Sequence, residues 1–508
     1  MTGAKRTIGR PAAPLPLPLP LSAAIGLLGS ASVVLGAAHR GSPFGVAAPG
    51  TWFFGSPSTT PGGGGRFLGI LLVYVGIALL LGSWYELVRT VRARPGTPVR
   101  PVAAVLCAWA APILAAPPLF SRDVYSYAAQ GEMVTRGINP YIHGPTALGG
   151  GPFLRLVDPL WAHSPAPYGP AWERLAGWIV QLSGGDVRTA LVGFRLVALA
   201  GVALLACAVP ALASSVGSDR ATAFAFAVAN PLVLLDLLGG SHDDALMLGL
   251  LMAACAAARR RHVAAGLLLC ALAAEVKIPA LVGAAFIGWW WAGAGADRRR
   301  RLARVGAALG AVAAAMAVVA TVSGLGWRWI DDLTNPGRVV SWLDPATAVG
   351  LLLAHGASAL GASGHDTGFV HVARTLALAG ATVIYVRLLV RSDRLGPSTA
   401  LGASLLAFVI LGPVIWPWYE TWGFVFLAVA ADGWVVPVVF VLSAVACVAD
   451  VPRPGLLVTG NPILVTLSWA GLAGLVGVFL GTRVQRARPP AVSEGQAPPS
   501  TSITWPLT

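Results

Sequence analysis

The arginines of this chain come in knots, and the stretches between knots are almost free of charge. Arg259-Arg260-Arg261 is one knot and Arg298 to Arg301 another; between them the only charged residues are Glu275, Lys277 and Asp297. Apolar runs of similar character recur, as from Leu21 to Ala38. A helix of about 20 apolar residues crosses the roughly 30 Å hydrocarbon core of a bilayer. Within lipid every backbone polar group must be paired, which leaves helices or a closed barrel. The runs are too long and too poorly alternating for porin-type strands. Composition agrees: 56% of the residues are apolar and 11% charged, whereas an average soluble domain is about 25% charged. The expected class is an all-α integral membrane protein, a polytopic helical bundle.

The net charge is +14, yet its placement argues against nucleic acid. Knots between apolar runs fix the orientation of a membrane protein, and a basic groove interleaved with aromatics is not found. Cys107, Cys207, Cys255, Cys270 and Cys447 all lie inside apolar runs, with no CxxC or Cys/His cluster. Neither a disulfide framework nor a zinc site is expected.

Residues 1–20 are Pro-rich and read as a disordered cytoplasmic N-terminus. The run from Leu21 reads as an uncleaved first helix rather than a signal peptide. Membrane helices are expected near 21–38, 67–87, 102–120, 187–213, 221–239, 245–258 and 263–276. A partner after Pro279 completes a short hairpin, and further helices fall near 305–326, 369–390, 400–416, 422–431, 435–449 and 463–481. That is about 14 helices in a domain spanning 21–482, followed by a disordered cytoplasmic tail over 483–508. Arg89, Arg92, Arg94 and Arg100 mark an inside loop. By alternation two large loops, 121–186 and 327–368, lie outside the membrane, and "GGSHDDA" and "WPWYETW" face the same side.

Acidic, His and aromatic residues therefore gather at one membrane surface. Asp123 emerges there beside Tyr125 and Tyr127; it is either a solvated loop acid or a base for a sugar hydroxyl. Lys277 within an apolar segment costs roughly 2.5–3.5 kcal/mol on insertion scales and points to a functional cavity. A lipid phosphate is a suitable partner; Arg328 and Arg338 are further cations for it. Glu275 is a poor partner, since residues two apart face apart on a helix. His242 and Asp243 read as substrate hydrogen-bonding groups, with helix capping by Asp243 or Asp244 as the alternative. Trp418 and Tyr419 form either an interfacial belt or a platform for hexose faces. Tyr168 lies in "HSPAPYGPAW", a proline-stiffened wall.

"SRDVYSYAAQGEMVTRGINPY", "SPAPYGPAW", "GGSHDDALMLGLL", "EVKIPAL" and "WPWY" together resemble the polyprenol-phosphate-mannose-dependent α-(1→6)-mannosyltransferases of actinobacteria, membrane enzymes of GT-C fold. The resemblance covers about 67–482. It implies an extracytoplasmic site, a lipid-linked mannose donor, a mannan or lipoglycan acceptor, and a catalytic acid in the first large loop, which maps onto Asp123. It implies inversion: the acceptor hydroxyl displaces a β-linked phosphate, Asp123 takes the proton, and Lys277 and Arg328 balance the leaving phosphate. Tyr125, Tyr127, Tyr168, His242, Asp243, Trp418 and Tyr419 are the expected substrate-binding groups. No metal or other cofactor is expected. The alternatives are another lipid-phosphate sugar or acceptor, or a transporter. A transporter would place polar groups near the midplane of inverted halves, and apart from Lys277 the sequence shows neither.

Overall fold

The computed structural model describes residues 17–38, 63–342, 344–361, 366–430, 433 and 435–449. The described residues are helical, without strands. The α-helices in chain order are α1 (Leu19–Ala38), α2 (Gly63–Arg92), α3 (Val99–Leu114), α4 (Asp123–Thr135), α5 (Pro170–Leu182), α6 (Val187–Ser215), α7 (Arg220–Ala227), α8 (Asp244–Arg259), α9 (Val263–Val276), α10 (Val282–Ala292), α11 (Arg298–Ser323), α12 (Pro345–Ala359), α13 (Asp366–Val390), α14 (Ser392–Leu395), α15 (Pro397–Ile410), α16 (Thr421–Ala430) and α17 (Val435–Ala449).

Local chemistry starts these helices where charge and proline allow. Asp186, Asp219 and Asp297 cap α6, α7 and α11, each accepting a first-turn backbone N–H at 2.7–2.8 Å, as N-cap carboxylates do. Pro170, Pro345 and Pro397 occupy the first position of α5, α12 and α15, where a missing N–H costs nothing.

Among the described residues, five helices are long and apolar enough to cross a membrane: Leu19–Ala38, Phe67–Arg92, Val187–Ser215, Arg298–Ser323 and Thr367–Val390. Five shorter apolar helices stand beside them, Val263–Val276 and Ile278–Ala292 included. Large apolar side chains point outward, such as Leu196 at 58% and Leu376 at 68% exposure, as expected where lipid is the solvent. The chain is a helical membrane protein.

Several expected boundaries move, for identifiable reasons. The expected helix over 221–239 is broken at Asn230-Pro231 into α7 and a π-helical stretch, Val233–Gly239; a residue before proline resists helical backbone. The expected helix over 102–120 stops at Leu114, ahead of Pro117-Pro118. The 121–186 segment carries α4 and α5, and 327–368 carries the 3-10 stretch Arg328–Arg338 and the apolar α12. The expected helix near 463–481, the tail 483–508 and most of 1–20 lie outside the described residues.

Helix α4 packs on α5, α5 on α9 and α11, and α6 on α8. The α6–α8 approach is close because Gly201 faces the backbone of Ala245, where a Cβ would overlap. This contact fixes the start of α8, where the acidic pair sits. Arg174 of α5 reaches the Ser323 carbonyl with Nε at 2.7 Å, and Asn139 donates to the Leu325 carbonyl at 2.9 Å. The first large loop is thereby anchored to the end of α11.

Candidate active site

Helix α3 ends, the chain turns through Phe120 at φ 61°, and α4 begins at Asp123. A bulky residue with left-handed backbone is an outlier that its surroundings must enforce. A second such residue, Ser241 at φ 56°, precedes His242 and Asp243. Arg195 of α6 clamps the two turns together. Its guanidinium, on a residue 5% exposed, donates to the carbonyls of Ile113 (2.6 Å), Ala116 (3.4 Å) and Gly239 (2.9 Å) and to Ser241 Oγ (2.6 Å). The Leu119 N–H also donates to the Gly239 carbonyl, at 2.9 Å. Five-donor fork geometry suits this task better than a lysine.

Replacing Arg195 with Met removes these donors. Each buried acceptor left unsatisfied costs about 1–3 kcal/mol, so Arg195→Met is expected to lower the thermal midpoint of the detergent-purified protein by several degrees. A midpoint matching wild type would contradict the clamp.

Asp123 is the first residue of α4; its backbone N–H donates to Ser121 Oγ at 3.1 Å. Its side chain keeps 20% exposure, and Oδ2 lies 3.6 Å from His242 Nδ1. Burial pushes the carboxyl up to about 6, against the pull of the nearby Lys277 ammonium. His242 is pushed down to about 3 by burial, so its imidazole is neutral and the pair is no ion pair.

Behind them lies a charged triad. Lys277 ends α9 on extended backbone, φ −154° and ψ 126°. This is the break expected at "EVKIPA". Its Nζ donates to Asp243 Oδ1 at 3.1 Å and Asp244 Oδ2 at 2.8 Å, and stands 4.8 Å from the Tyr419 ring centroid. Tyr127 donates its hydroxyl to Asp243 Oδ1 at 3.0 Å, and Trp422 Nε1 donates to Asp244 Oδ1 at 2.6 Å. The alternative of capping is not what these acids do: Asp243 makes no side-chain cap bond, and both turn to Lys277. Glu275 instead accepts the Ala171 N–H at 3.1 Å. Gly169 makes this crossing possible, since a Cβ there would overlap the Glu275 carbonyl.

Aromatic rings complete the wall. Trp418 stacks on His242, centroids 4.2 Å apart, and on Trp416 at 5.2 Å. Tyr127 meets Tyr168 and Trp172 edge-on at 5.4 and 5.2 Å. Several buried atoms here make no hydrogen bond within the protein: both His242 ring nitrogens, Asp243 Oδ2 and Trp418 Nε1. Buried polar atoms are normally paired, so this group is a receptor for a polyhydroxylated ligand beside a part-exposed carboxylate.

Of the expected site residues, Asp123, Tyr127, Tyr168, His242, Asp243, Lys277, Trp418 and Tyr419 converge. Tyr125 is fully buried, in electrostatic range of Arg195. Arg328 is exposed at the start of its 3-10 stretch and does not join the ring around Lys277. Sequence reasoning missed Arg195, Asp244's second ion pair and Trp422. For Arg195 the signal was available: a charge inside the apolar run 187–213, the same argument that singled out Lys277.

Residues 23–293 match the profile of the α-(1→6)-mannopyranosyltransferase N-terminal domain, and residues 346–481 that of the MptB C-terminal domain. The chain is 34% identical to α-(1→6)-mannopyranosyltransferase A of Mycobacterium tuberculosis, over 73% of this chain and 72% of that protein. The chain belongs to the α-(1→6)-mannopyranosyltransferase family. Other family members similar to it include a probable α-(1→6)-mannopyranosyltransferase of Mycolicibacterium smegmatis, 33% identical over 64% of each chain. The B enzyme of Corynebacterium glutamicum is 29% identical over 72% of this chain and 67% of its own. No solved structure matches.

Proposed function

We propose that this family member transfers mannose from polyprenyl-phosphate-mannose to a growing α-(1→6)-mannan, the core of a lipoglycan. Transfer takes place on the outer face of the plasma membrane, with inversion at the anomeric carbon. Family membership supports mannosyl transfer. The observation that carries the mechanism is the part-exposed Asp123 carboxylate beside unpaired buried polar atoms and stacked rings.

In this reading the acceptor hydroxyl attacks the anomeric carbon opposite the departing phosphate. The bond to the acceptor oxygen forms, the bond to the phosphate oxygen breaks, and Asp123 takes the hydroxyl proton. His242, Asp243 and Trp418 offer their unpaired atoms to sugar hydroxyls, and Tyr168 and Tyr419 line the wall. Lys277 and Arg328 are the cations that balance the leaving phosphate; Lys277 also holds the two aspartates that shape the site.

Membranes carrying the protein are expected to extend a synthetic α-(1→6)-mannoside from polyprenyl-phosphate-mannose. Equal extension from a nucleotide sugar without lipid donor would overturn the donor assignment. A pH profile checks the base. Only ionised Asp123 accepts a proton, and burial raises its pKa to about 6. The transfer rate should therefore be on its plateau at neutral pH and fall about tenfold per unit once pH drops below about 6. A profile flat down to pH 4 would exclude Asp123 as the base.

A further inference from the structure

One cavity, of about 250 Å³, opens between α9 and α11. Its α9 side is the stripe Leu268, Ala271, Leu272 and Glu275, and its α11 side includes Ala315 and Val318. On each helix these positions recur every three or four residues, which places them on one face. The two alanines floor the cleft, while Leu268 (57% exposed) and Val318 (61%) flank its mouth. From Leu268 to Glu275 the cleft runs about 10 Å at 1.5 Å per residue.

The two ends differ. Leu268 ends it in apolar surroundings. At the other end stands Glu275, 0% exposed, with Oε2 bonded to Ala171 N–H and Oε1 making no hydrogen bond. Two residues beyond is Lys277, in the charged triad. An apolar chain covering such a cleft could be any membrane lipid. The buried, unpaired carboxylate oxygen at its inner end calls for a hydrogen-bond donor, which a hydrocarbon chain lacks and a sugar head group has.

Resting on the donor chemistry proposed above, we infer that the isoprenoid tail of the donor lies in the α9–α11 cleft. Its sugar-phosphate end sits at Glu275 and Lys277: a sugar hydroxyl donates to Glu275 Oε1, and the phosphate faces the ammonium. The cleft thus sets which chain lengths are accepted, separately from the chemistry at Asp123.

The test compares mannosyl phosphate carried on a long polyprenol with the same head group on a short citronellyl chain. Leu268→Trp and Ala315→Trp fill the far end of the cleft, and Leu376→Trp on α13 is the lipid-facing control. The far-end variants are expected to raise the KM for the long-chain donor by about tenfold, the scale of overpacking a filled groove. The KM for the short donor should stay unchanged, and the control should resemble wild type. Equal effects on both donors, or none on either, would overturn the proposal. A diazirine-bearing polyprenyl phosphate gives a readout independent of transfer. Crosslinks confined to α9 and α11 peptides support the cleft even if the transfer reaction is wrong. Crosslinks only elsewhere refute it even if transfer is right.

Discussion

Asp123→Asn is expected to insert and fold normally yet transfer almost no mannose. The bond that seats this residue runs from its backbone N–H to Ser121 Oγ, and Asn keeps it. Asn is isosteric, so Arg195 still holds the turn and His242 keeps its place on Trp418. The missing element is a carboxylate that can take a proton. A correctly placed base contributes about 10²- to 10⁴-fold, and the initial rate on a synthetic α-(1→6)-mannoside should fall by that factor. Size-exclusion elution and thermal midpoint should match wild type. A variant with a normal rate would remove Asp123 from its role.

Lys277→Met is expected to have the largest effect on stability. The ammonium is 10% exposed and stands between two carboxylates with no exposure at all. Removing it leaves like charges buried beside one another. Breaking a buried pair by deleting one partner costs about 3–5 kcal/mol, and here one deletion strands two acids. The interaction is checked by a cycle: adding Asp244→Asn to Lys277→Met should recover part of the lost thermal midpoint, because it removes one stranded charge. Groups in one network are not additive, so the double variant should be more stable than the sum of the singles. Strict additivity would show that the triad does not act as a unit.

Much of this arrangement was legible in the sequence because the residues were out of place for their surroundings. Asp123 follows an apolar run abruptly, and Lys277 sits inside one; both reach the cluster. The break after Lys277 was legible from Pro279. What was not legible depends on facing and on tertiary partners. Which of Asp243 and Asp244 meets Lys277 cannot be read from adjacency, and both do. Trp422 looks like a belt residue until its Nε1 is found on Asp244. The run 221–239 looks like one span because apolar residues outnumber the Asn-Pro signal that splits it. Arg328 and Tyr125 were placed in the site by neighbourhood in sequence; the fold exposes one and buries the other beside Arg195.

The account stands on the first large loop lying outside the cell. A single cysteine at Gly150, an exposed loop residue with open space around it, tests that directly in a background lacking the native cysteines. A membrane-impermeant maleimide should label Gly150→Cys in intact cells, while Arg260→Cys in the arginine knot should react only after permeabilisation. The reverse pattern would put Asp123 in the cytosol, out of reach of an outer-leaflet donor.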